Sequence, residues 1–230
     1  IGLCLVGSEM CIRDRPSTTV DGRLLKIVNT VEENSSYFVD FEANDGVSGT
    51  GIWKECRGWD TIDGVTTLTS SGLDSETMPM ALINTGLNTF TLKTVDWTER
   101  LVGNLVSNSS PSFVNNAISR SFAYNNRLGM LSTENIIMSV AGEFENFYYA
   151  SAQTVIASDP IDLSCSSLRP AKLQSVVTQA EGLVLFSDFE QFVLFAEDGN
   201  LTPSDAILRS VGNFQNLSLI HISEPTRQSP

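Results

Sequence analysis

Few residues in this chain have the type and spacing for chemistry. Asp159-Pro160-Ile161-Asp162 sets two carboxylates close together, as a glycoside-cleaving acid–base pair would need. Asp-Pro is also a turn initiator, and the turn reading carries most of the weight. Asp60 and Asp63-Gly64 come nearest to a metal loop. They lack the Asp-x-Asp-x-Asp-Gly order of an oxygen-ligated calcium loop, so a surface turn is expected. Trp53, Trp59 and Trp97 could stack on sugar rings, although a strand tryptophan more often fills a core or an interface. Arg127 follows Asn126, which tolerates the left-handed backbone of a turn. We expect Arg127 to bond nearby carbonyls or a carboxylate in a structural role rather than a catalytic one. There is no phosphate-binding glycine loop, no Gly-x-Ser-x-Gly and no zinc spacing. The sequence therefore assigns no catalytic residue, no cofactor-binding residue, no cofactor and no metal ligand.

Composition narrows the class further. The 230 residues carry 14 Lys+Arg against 27 Asp+Glu, a formal net charge of -13. Hydrophobic residues make up 41% and charged residues 18%, a globular balance with enough length for a core. Apolar runs such as Gly182 to Phe186 are too short to span a bilayer, so no membrane anchor is expected. Lysine and arginine form no run, which argues against a sequence-specific nucleic-acid footprint.

The two ends have an unusual character. Leu5 to Arg15 and Leu217 to Arg227 both resemble translations of a transposon-based sequencing adapter. One encoding of the second segment, read on its opposite strand, encodes the first. We therefore expect residues 1–15 and 217–230 to be adapter-derived and residues 16–216 to be a fragment of a longer protein. That reading removes Cys4, Cys11 and His221, and with His221 the only histidine. Cys56 and Cys165 then read as buried or free thiols, and a single bridge between them stays open. Three basic residues (Arg13, Arg15, Arg227) and three acidic ones (Glu9, Asp14, Glu224) leave together, so the charge stays at -13.

Short strand signals fill the remaining stretch. Tyr37 to Ala43 is aromatic-rich and ends at Asn44-Asp45-Gly46, where glycine permits a hairpin turn. Gly51 to Arg57 follows, with Ile52, Lys54 and Cys56 on one face and Trp53, Glu55 and Arg57 on the other. Asn88 to Asp96 places Phe90 and Leu92 on one side. Ile136 to Val140, Phe147 to Tyr149, Gly182 to Phe186 and Phe192 to Phe195 complete the strands, with turns at Ser187-Asp188 and Asp198-Gly199-Asn200. Leu105 to Ser112 reads as a loop. Helix signals are fewer. Phe113 to Arg120 could make two turns, and in Ser167 to Glu181 the residues Leu173, Val176, Val177 and Ala180 recur at helical spacing. Thr202-Pro203 before Ala206 to Val211 leaves helix and strand open. The expected fold is mainly β, built of short antiparallel strands with few short helices, as in a sandwich, barrel or propeller.

From Tyr37 to Pro203 the order of small landmarks resembles the nozzle (tail tubular protein B) family of short-tailed bacteriophages. The landmarks are Tyr37-Phe-Val-Asp-Phe, Gly51-Ile-Trp-Lys-Glu, Thr77-Met-Pro-Met-Ala-Leu82, Phe90, Asp96-Trp97 and Arg100. Pro111-Ser-Phe-Val114, Asn126-Arg-Leu-Gly-Met-Leu-Ser132, Glu134-Asn-Ile-Ile-Met-Ser139, Phe144 and Asn146-Phe147 follow in turn. Asp159-Pro-Ile-Asp162, Leu185-Phe-Ser187, Gln191-Phe192 and Leu201-Thr-Pro203 close the series. Each is weak alone, and the ordered set is specific. Gly103-Asn104 and Asn108-Ser109 depart from the family pattern and read as drift in a loop.

The resemblance implies a β-propeller-like fragment of a non-enzymatic virion structural protein, made in the bacterial host cytoplasm and located in the tail. It implies a homo-oligomeric, hexameric ring below the head–tail connector, with the connector (tubular protein A) and tail fibres as partners. DNA would pass through transiently, without sequence-specific binding. The acidic balance suits such a channel, because a negative wall repels phosphate. The alternative is a glycan-binding or glycan-cleaving phage tail protein, which needs an exposed tryptophan beside paired carboxylates.

Overall fold

The computed structural model describes residues 2–6, 16–29, 36–167, 169–179, 182–197 and 199–212. His221, Cys11 and the 217–230 stretch lie outside them. The first sheet joins β1 (Gly2–Val6), β2 (Thr18–Val20), β3 (Leu24–Asn29), β4 (Tyr37–Ala43) and β5 (Ser48–Glu55) in the order β1-β3-β4-β5-β2. β1, within the stretch read as adapter-derived, pairs with β3 in parallel. The β4–β5 turn is the expected one, with Gly46 at φ 70°. Along β5, Trp53 turns toward Leu25, Ile27 and Val39, while Ile52 on the opposite face stays exposed.

Two separate hairpins follow: β6 (Trp59–Ile62) with β7 (Val65–Leu68), and β8 (Ala81–Gly86) with β9 (Thr89–Lys93). Asp63 and Gly64 close the first at positive φ (51° and 78°), which confirms a turn. Beyond them stand two antiparallel meanders, each four-stranded. One comprises β10 (Ile118–Tyr124), β11 (Arg127–Ser132), β12 (Asn135–Met138) and β13 (Ile161–Ser164). The other comprises β14 (Leu173–Gln179), β15 (Gly182–Ser187), β16 (Gln191–Phe195) and β17 (Ile207–Gly212).

The meanders share one core. Leu131, Ile136, Met138 and Ile161 from the first pack with Leu173, Leu183, Leu185, Phe192 and Leu194 from the second. The opposite face of the first meander is buried as well. Met130 and Ile137 meet Met78, Phe113 and Phe147 from the long connecting segments. Burial on both faces explains why Ile136-Ile137-Met138 is a continuous apolar run rather than an alternating one. Phe122 crosses opposite Gly129, and a Cβ there would lie 2.1 Å from the ring. Glycine is required so that the aromatic ring can cover the strand.

The described residues are all β-strand, turn and irregular backbone, so the mainly β expectation holds and the few short helices do not. Within the expected helix from Ser167 to Glu181, residues 173–179 form β14. The reason is a β-bulge between Leu173 and Ser175. It inserts a residue and returns Leu173 and Val176 to the same face, where both meet the shared core. A bulged strand thus reproduces the i, i+3 spacing of a helix. The Phe113 to Arg120 helix is replaced by successive turns at Pro111–Asn116, with Asn115 at φ 64°, followed by β10. Ala206 to Val211, left open between helix and strand, lies largely in β17. Phe147 to Tyr149 is not a strand. The Tyr148 N–H donates to Asn146 Oδ1 at 3.0 Å and the Tyr149 N–H to Asn108 Oδ1 at 3.1 Å. Asparagine side chains take the place of a neighbouring strand.

Candidate functional site

The connecting segments between β9 and β13 are organised by two buried arginines. Arg127 opens β11 just after Asn125 and Asn126, both at positive φ (49° and 57°). Its Nη1 donates to the carbonyls of Ser139 (2.7 Å), Ser158 (3.1 Å) and Asp159 (2.6 Å). Its Nη2 donates to the Ala157 carbonyl at 2.7 Å. Of the two expected partner types, carbonyls are the ones used. A planar fork of donors can gather backbone from both sides of an irregular loop in this way. Arg100 donates to the Ser70 carbonyl (2.7 Å) and the Ser110 hydroxyl (2.9 Å), and its guanidinium lies 4.8 Å from the centre of the Tyr148 ring. Burial pulls both guanidiniums below the ordinary arginine range. Both stay charged at neutral pH.

Gly103, Asn104 and Asn108 are buried. Asn108 Nδ2 donates to the carbonyls of Val102 (3.0 Å) and Tyr149 (3.1 Å). Asn104 Oδ1 accepts the N–H groups of Val106 and Ser107, both at 3.1 Å. Gly103 sits at φ 75°, with its backbone 2.8 Å from a hydrogen bond partner at Gly58. These residues replace strand pairing with side-chain bonds, so a local reading of hydrophobicity misses them. The signal in the sequence was the cluster of Gly and Asn itself.

The other residues singled out by the sequence scatter into packing and turns. Asp159 accepts the Ile156 N–H at 2.8 Å and closes a turn. Asp162, on β13, accepts the Ser112 N–H at 2.8 Å. Partial desolvation in a cleft beside Pro111 and Tyr149 pushes the Asp162 carboxyl up, against the opposing pull of the Ser112 bonds. The two carboxylates thus hold separate backbone partners. Asp60 accepts from the Thr69 hydroxyl at 2.5 Å and the Leu105 N–H at 3.3 Å. Trp53 packs edge-on to Phe41, Trp59 edge-on to Phe38, and Trp97 against Phe147. None of the three stands as an exposed platform. Cys56 and Cys165 are free thiols, both pushed up to about 12 chiefly by burial.

Two surface features remain. Above the layer of connecting segments lies a groove of about 740 Å³, floored by Met78, Phe113 and Tyr148 and walled by Leu73, Val114 and Ile118. Beside it springs the β8–β9 hairpin, whose Leu82, Phe90 and Leu92 share one exposed face. Elsewhere the charge is mostly uncompensated. Among the described residues the one ion pair is Lys54 with Glu42, on the surface.

The described residues form an all-β body stiffened by buried arginines, with an open groove of mixed polar and apolar lining. The bacteriophage nozzle protein family matches residues 7–223. The chain is also 36% identical over 200 residues to the tail tubular protein gp12 of Escherichia phage T7, covering 86% of the chain and 23% of that relative. The protein belongs to the bacteriophage nozzle family. That membership puts it among the structural proteins of the phage tail. The chain spans about a quarter of the length of the curated relative it matches. The family match runs past both boundaries set at residues 16 and 216.

Proposed function

We propose that the protein forms part of a tail nozzle ring below the head–tail connector and walls the channel through which DNA leaves the particle. The observation that carries this is the family match together with the likeness to a tail tubular protein. The ring is homo-oligomeric, and six copies is the number that the family resemblance implies. The connector, or tubular protein A, is its partner above, and tail fibres attach to the same assembly. Its role is non-enzymatic, because its tryptophans and paired aspartates are engaged in packing and turns. The same engagement disfavours the glycan-binding alternative.

The net charge of -13 supports passage without adhesion. A wall with far more carboxylates than cations repels phosphate and neutralises little of it, so the duplex slides rather than sticks. The two face-packed meanders are read as successive blades of a propeller continued by other parts of the parent protein. Residues 1–15 and 217–230 are read as adapter-derived, which resequencing of the source DNA tests directly.

The test of the channel reading is DNA binding by the assembled ring at low salt. Weak binding that hardly changes with ionic strength is expected. Tight, salt-sensitive binding would overturn the conduit reading.

A further inference from the structure

We propose that the β8–β9 hairpin docks into the Met78–Phe113–Tyr148 groove of a second copy of this chain. The claim rests on the ring reading only for closure of the contact. The hairpin is an unusual surface element. Leu82, Phe90 and Leu92 lie on one face with 67%, 59% and 58% of their surfaces exposed. Leu87, at the tip, is 95% exposed, beside Asn88 at φ 60°. A two-stranded hairpin with an uncovered apolar face is marginal in water, and needs a cover.

The groove cannot be filled by its own hairpin. Met78 and Pro79 line the groove, and β8 begins at Ala81, so the hairpin rises from the groove's rim. Six extended residues carry its tip roughly 20 Å from that base. To enter its own groove the hairpin would have to fold back through its own backbone. A neighbouring copy presents the same groove without that constraint.

Charge favours the same pairing. A chain of net charge -13 repels its copies, so a contact between them must avoid carboxylates. Residues 80–93 contain no aspartate or glutamate, and Lys93 is their single charge. The groove is lined by one charged residue, Asp74. Tongue and groove are therefore acid-poor, with opposite residual signs. Tongue and groove are different surfaces of one chain, so docking that is not reciprocated makes a heterologous contact, the kind that generates rings.

The test places a photo-reactive residue at position 87 in the full chain and mixes isotopically heavy and light copies before irradiation. Adducts joining heavy and light chains, mapped to residues 113–118, are the expected result. Leu87→Asp with Phe90→Asp, both on exposed positions, should keep the circular dichroism spectrum and weaken self-association about tenfold or more. Adducts confined to one copy would overturn the proposal, as would adducts on another surface or on a different protein only. A chain that remains monomeric at high concentration overturns it as well. A ring that assembles unchanged with the double variant removes this inference and leaves the tail reading standing. An assembled ring that grips DNA tightly does the reverse.

Discussion

The Ser119 hydroxyl lies 2.8 Å from the Leu173 carbonyl and 3.1 Å from that of Leu131, so one side chain bridges the first strands of the two meanders. Ser119 is the residue skipped by the register shift between Ile118 and Arg120. The bulge therefore has a use: it frees a hydroxyl to reach across the layer boundary. Ser119→Ala is expected to cost about 1 kcal/mol, by loss of one neutral hydrogen bond. Urea unfolding followed by fluorescence reads this as a lower midpoint with an unchanged slope.

Arg127 holds four carbonyls from two chain segments. Arg127→Leu removes every donor at once and should cost roughly 3 kcal/mol or more. For a chain of this size that corresponds to a fall in melting temperature of about 6–12 °C. Arg127→Lys restores a point charge but not the fork, so its melting temperature should lie between the two. Calorimetry on the three proteins checks the order.

Gly103→Ala tests whether the connecting loop is constrained. The new Cβ would lie 2.8 Å from Ser107 Oγ and 2.9 Å from Asn108 Cβ, on a backbone at φ 75°. A loss of about 1–3 kcal/mol is expected. Hydrogen exchange should show faster opening at the Asn108–Tyr149 contact than in the β15–β16 hairpin. An exchange pattern identical to the parent's would mean that the loop adapts freely.

Glu190 supplies a pH signature. Side-chain bonds from Ser167 and then Ser210 hold its carboxyl below the usual carboxylate range. A carboxylate depressed in the folded state stabilises it above the unfolded pKa, and the contribution is lost as pH falls through the folded value. The stability gap between the parent and Glu190→Gln should be constant near neutrality. It should narrow below about pH 4.3, the ordinary glutamate value, and disappear in stronger acid. Unfolding curves at stepped pH measure it, and a gap that widens in acid would contradict the sign.

Turn chemistry was the most legible part of this fold. Asn44-Asp45-Gly46, Asp63-Gly64 and Asn125-Asn126 announce hairpins because few residues accept their backbone angles. The order of landmarks also carried the family, since it survives changes in local geometry. The Leu173–Val176 spacing misled because the bulge that realigns it depends on β15, a partner strand that spacing alone does not reveal. Asn108 was missed for a related reason. Its partner Tyr149 lies 41 residues away, and no window of local sequence contains both.

Cys56 and Cys165 are free thiols in the folded chain. Pushed up to about 12 by burial, both stay in the thiol form at neutral pH. Oxidants and disulfides react with the ionised sulfur, so burial slows oxidation of both side chains. Burial that serves packing thus also shields the sulfur from chemical ageing.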